Sequence, residues 1–112
     1  MTNQFNANMN RLIEAVLTTP GETDLSLRRA VEERAATTGG RLLSETTGEV
    51  PSELTRYVDK VALHAYKVTD ADIEALRNAG YTEDAILEIT ISASLGASVA
   101  RLERGLSALK TH

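Results

Sequence analysis

Residues 82–110, TEDAILEITISASLGASVARLERGLSALK, constrain the fold more than any other stretch. Thr82 has the character of a helix N-cap, Glu83 and Asp84 suit the positive end of a helix, and no proline follows. Leu87, Ile91, Leu95, Val99, Leu102, Leu106 and Leu109 recur at +4 and +3 steps, a heptad-like seam about three repeats long. A second face carries Ile86, Ala93, Gly96, Ala97 and Ala100, most of them small enough to let another backbone come close. A long helix with two apolar faces needs a partner on each. The rest of a 112-residue chain is short for covering both, so self-association is expected.

The segments upstream read as helices too. Phe5, Met9, Leu12 and Val16, widened by Ile13 and Leu17, follow one helical face over residues 5–18, and Pro20-Gly21 ends it. A second helix runs from Asp24 or Ser26 to Thr37, with a thin apolar side (Leu27, Val31, Ala35) and an exposed charged side of Arg28, Arg29, Glu32, Glu33 and Arg34. Residues 41–50, RLLSETTGEV, form a loop or a short extra turn. Pro51 suits the first turn of a third helix reaching Lys67, with Leu54, Val58, Val61, Ala65 and Val68 on one stripe and Tyr57 and His64 beside it. Thr69 caps a fourth helix, Asp72 sits at its third position as in a capping box, and Gly80 is its left-handed stop; Ile73, Leu76 and Ala79 face inward. The expected architecture is all-α: one domain over 1–112, a packed bundle of about five helices with a long C-terminal one.

Composition narrows the function. Hydrophobic residues make up 42% and charged residues 25%, which suits a globular domain. Aromatics are only 4%, so the core is aliphatic and suits close helix packing. There is no cysteine, which removes disulfides, thiolate catalysis and cysteine-based metal or redox sites. The start, MTNQFNANMN, has neither the basic residues nor the apolar centre of a signal peptide, and no apolar run is expected to span a membrane. A cytoplasmic protein is the resulting expectation.

Net charge is -4, with no basic patch to displace counterions from a phosphate backbone. Residues 68–97 have the outline of a helix-turn-helix, but the second helix would present Thr82-Glu83-Asp84 to DNA, where a recognition helix meets phosphates. Nucleic acid is therefore excluded as a partner on electrostatic grounds.

Few residues offer chemistry. His64 suits a general base or proton relay, or a histidine hydrogen-bonded at the edge of its stripe. His112 is terminal. Glu88 opens an apolar segment, so it reads either as a part-buried carboxylate with a raised pKa or as a solvated one supporting its own helix start. Arg101 suits pairing with Glu88 or an anionic ligand, or an interhelix contact; Tyr66 is a further candidate for touching substrate. Ser92, Ser94 and Ser98 have no adjacent base, and no His/Asp/Glu spacing makes a metal site. No cofactor is implied.

The combination of turn signals has a family look. Val68-Thr69-Asp70, Leu76-Arg77-Asn78-Ala79-Gly80, Thr82-Glu83-Asp84, Ile86-Leu87-Glu88-Ile89 and Arg101-Leu102, preceded by LTRYVDKVALHAYK, resemble the C-terminal part of the alkylhydroperoxidase D-like, or carboxymuconolactone decarboxylase-like, superfamily over about residues 54–107. The resemblance implies an all-α fold that forms homo-oligomers. The peroxidase members use a Cys-x-x-Cys pair, absent here, so their activity does not transfer. Two expectations follow. One is a non-redox homo-oligomer with an interaction, structural or small-molecule-binding role. The other is a cysteine-free lyase acting on a small organic acid or lactone, with His64 and Glu88 as acid/base and Arg101 and Tyr66 holding the substrate.

Overall fold

The computed structural model describes residues 2–38 and 49–110; the side chains of residues 2–6, 9, 10, 13 and 110 lie outside the description. The expected stripe residues Phe5, Met9 and Ile13 therefore fall outside it, as do most of the 41–50 loop and His112. The described residues form five α-helices and no strand: α1 (Thr2–Thr18), α2 (Leu25–Thr38), α3 (Ser52–His64), α4 (Asp70–Asn78) and α5 (Glu83–Lys110), with a 3-10 turn at Ala65–Lys67. The all-α bundle with a 28-residue last helix is as the periodicity requires.

The boundaries follow local chemistry. Thr82 Oγ1 accepts the Ala85 N–H at 3.1 Å and starts α5. In front of α4 the Asp72 carboxylate accepts the Thr69 N–H at 2.9 Å, closing the capping box. That bond and the Lys60 ammonium hold Asp72 below the usual carboxylate range. Gly80 ends α4 with φ +103°, and Tyr81 N–H reaches the Leu76 carbonyl at 3.1 Å, a Schellman closure only a glycine enters without strain. Three expectations shift. Pro51 is the residue before α3 rather than its first member. The third helix stops at His64, where ψ turns to 56°, so Ala65 leaves the stripe and is exposed. Ala79 sits at the end of α4 and is likewise exposed.

The core lies where α2, α3 and α5 meet, and α5 packs most extensively on α2. Val31, Ala35, Leu54, Val58, Ile89 and Ala93 are fully enclosed. The small-residue face of α5 is the inward one: a Cβ on Gly96 would collide with the backbone carbonyl of Glu32. That approach corrects the reading of α2 as a helix with one exposed charged side. Arg28 is 4% exposed and Glu32 6%, because α5 and the α1–α2 connection cover what a lone amphipathic helix would leave in water. Polar clasps tie the rest: Arg34 donates twice to Asp59 at 2.7 Å, joining α2 to α3, and the Tyr57 and Thr90 hydroxyls meet at 2.6 Å between α3 and α5.

The leucine seam of α5 splits. Val99 is buried, Leu95, Leu102 and Leu106 are half-buried, while Leu87 (57%), Ile91 (43%) and Leu109 (73%) face solvent. By length and composition residues 83–109 are also apolar enough to cross a membrane, contrary to the expectation of no such run; half of that window is buried in the fold, and the core helix of a folded domain passes the same test.

Gly96→Ala is expected to cost about 3 kcal/mol, since overpacking against backbone has no soft atom to yield. Gly105→Ala, with open space around it on the same helix, is expected to gain up to about 1 kcal/mol. Thermal unfolding of the two variants checks the contrast.

Candidate functional site

Glu88, the acid near the start of α5, is held by the chain that connects α1 to α2. Pro20 and Gly21 end α1 and turn the chain so that residues 22–24 pass over α5. A Cβ on Gly21 would stand 2.6 Å from Glu88 Oε2, so only a glycine allows this approach undisturbed. The Glu88 carboxylate then accepts the Glu22 N–H (2.8 Å), the Thr23 N–H (2.8 Å) and the Thr23 hydroxyl (2.6 Å). Arg28 lies beneath, its Nε 3.9 Å from Glu88 Oε1, donating from its other nitrogens to the carbonyls of Val16 (2.9 Å) and Thr23 (3.3 Å). Arg28 Nε itself is buried without a hydrogen-bond partner.

This environment corrects the raised-pKa reading of Glu88. Burial pushes its carboxyl up, but the Thr23 hydroxyl, the two backbone N–H groups and the charge of Arg28 together outweigh it and hold Glu88 below the usual carboxylate range. The carboxylate stays ionised near neutrality and spends its lone pairs on the connection between α1 and α2. Its hydrogen-bond donors come from the α1–α2 connection, far from it in sequence.

The other candidates lie elsewhere. Arg101 is thirteen residues further along α5, about 20 Å away by helical rise, and donates to the Ala62 carbonyl near the end of α3. His64 and Tyr66 sit at that same end, both exposed, their rings edge-to-face with centroids 6.0 Å apart. Lys67 Nζ lies 5.9 Å from the centre of the Tyr66 ring. His64, Tyr66 and Arg101 thus share one end of the molecule, and Glu88 lies near the other. Neither of two depressions among the described residues brings them together.

Two depressions among the described residues bear on the site. One, about 290 Å³, lies beside the Glu88 node between the α1–α2 connection and the α4–α5 turn, and includes Asp24 and Tyr81. Tyr81 donates to Glu53 at 2.8 Å, and burial with that carboxylate pushes its phenol up to about 12. The second, about 310 Å³, is an almost wholly apolar groove between α1 and α5, lined by Leu12 and Val16 from α1 and by Thr90, Ile91, Ser94, Leu95 and Ser98 from α5. No group of three or more potential metal-ligating side chains occurs among the described residues.

Sequence reasoning missed Arg28 and Thr23. Nothing in an Arg four residues into a polar helix marks it as buried; the one available hint was Pro20-Gly21, which forces the chain back across its neighbour. No protein-family model, curated protein or solved structure matches the chain.

Glu88→Gln is expected to lower stability at pH 7 by about 2 kcal/mol, the scale of hydrogen bonds to a charged group. Because the folded-state pKa of Glu88 is depressed, its contribution is complete above the ordinary Glu range near 4.5 and fades as pH falls through the folded value. The difference between wild-type and variant stability, measured by denaturant unfolding, should be constant above about pH 5.5 and shrink on acidification. A difference that grows in acid would contradict this.

Proposed function

We propose that this chain is a non-redox, homo-oligomeric helical protein of the alkylhydroperoxidase D-like kind, with an interaction or structural role and room for a small ligand. The observation that supports it best is the face α5 leaves in solvent: Leu87 and Ile91 stand exposed beside the apolar groove walled by Leu12 and Val16. Exposed aliphatic residues in a contiguous patch mark surfaces that associate. The groove's size is at the lower end of small-molecule sites, and its apolar lining favours an uncharged or weakly polar guest over a metabolite carrying several charges. Thiol peroxidase chemistry has no place in the reading, since the chain has no cysteine.

The lyase reading is weaker. It asks His64 and Glu88 to exchange protons with one substrate, yet Glu88 is committed to the α1–α2 connection and His64 lies at the end of α3, beside the Ala62–Arg101 contact. Light scattering on the full chain at micromolar concentration tests the favoured reading. A mass that is a multiple of the 12.1 kDa chain is expected, and a monomer would sink it.

A further inference from the structure

The exposed edge of α5 has an internal order that bears on how copies would meet. Asp84, Leu87, Ile91, Ser94, Ser98 and Arg101 follow strict +3/+4 steps and all are exposed. Along this strip an acid stands at one end and a base at the other; the bulky residues occupy the first half and the small ones the second. Arg101 is steadied at its end by its bond to the Ala62 carbonyl. Ser94 and Ser98 both line the apolar groove.

We infer that a second copy of this chain docks on this strip with its α5 running antiparallel, about a two-fold axis that crosses the helix between Ser92 and Ala93. In that register Leu87 drops onto the partner subunit's Ser98, Ile91 onto the partner subunit's Ser94, and Asp84 meets the partner subunit's Arg101; two-fold symmetry repeats all three. Large residues fill the space above small ones, and each groove receives the other copy's ridge, which is knobs-into-holes packing with an isologous interface. Charge decides the direction. Parallel pairing sets Asp84 beside Asp84 and Arg101 beside Arg101, and stacks leucine on leucine while leaving serine on serine. This assignment rests on the self-association proposed above and specifies its interface.

The absence of cysteine makes the register directly readable. Leu87→Cys and Ser98→Cys chains, mixed and oxidised, should form a disulfide-linked heterodimer, since the register brings their Cα atoms within the roughly 7 Å a disulfide spans. Leu87→Cys alone should form none, because its two copies lie eleven residues, about 16 Å, apart along the axis. Ile91→Cys with Ser94→Cys reads the same register through different side chains, should either outer variant misfold. Ser94→Leu, which fills the groove while adding exposed apolar surface, should abolish the dimer mass. Cross-linking of Leu87→Cys with itself, or a dimer in which neither mixed pair links, overturns this interface while leaving self-association standing. A wild-type monomer in sedimentation overturns both.

Discussion

The approach of α5 to α2 at Gly96 is the contact on which the other features rest. With the Glu32 carbonyl lying where a side chain would project, these two helices meet backbone to backbone, and Ala93, Ala97 and Ala100 extend the contact along α5. Small residues make a close contact but fill little volume, so the larger aliphatic residues of α5 have to point elsewhere. Ile86 and Ile89 enter the core formed with α3, and Leu87 and Ile91 are turned outward. The exposed ridge is thus a geometric consequence of a small-residue core face on a helix that has more apolar residues than one face can hold.

The Glu88 node complements this contact at the other edge of α5. Its carboxylate fastens the chain between α1 and α2, and Arg28, enclosed below, ties the end of α1 to the same point. Two ions so placed cost desolvation, which is offset by three donors to Glu88, two carbonyl acceptors for Arg28 and mutual charge rather than by burial itself. A carboxylate used in this way is held ionised and short of lone pairs, a poor arrangement for a general acid. The residues that looked most chemical along the chain therefore divide between an anchoring role (Glu88, Arg101) and an exposed aromatic–imidazole end (His64, Tyr66).

What was legible before folding was mostly one-dimensional. The cap at Thr82, the Thr69–Asp72 box and the Gly80 stop depend on residues within a few positions, and each appears where local chemistry puts it. The two faces of α5 could be read from period alone. What could not be read was which face goes inward, because seven aliphatic residues on the seam outweigh a stripe of alanines by hydrophobicity. The choice is made by shape: α2 offers a backbone surface that only the small face fits. For the same reason Arg28 and Glu32 read as surface residues; their burial comes from α5, distant in sequence, and from the α1–α2 connection folded back over it. The family resemblance likewise stands on local turn signals.

The central claim is that α5 has one face for folding and one for association. Three serines on that helix report on it with little change in size: Ser92, fully enclosed and bonded to the Glu88 carbonyl at 2.8 Å, and Ser94 and Ser98, exposed and lining the groove. The most direct measurement is the thiol-labelling rate of single Ser92→Cys, Ser94→Cys and Ser98→Cys chains across protein concentration. The account predicts a Ser92 thiol that reacts only on unfolding, and Ser94 and Ser98 thiols that react freely when dilute and become protected as the chain associates. A Ser92 thiol labelled as fast as the other two, or Ser94 and Ser98 thiols indifferent to concentration, would contradict it.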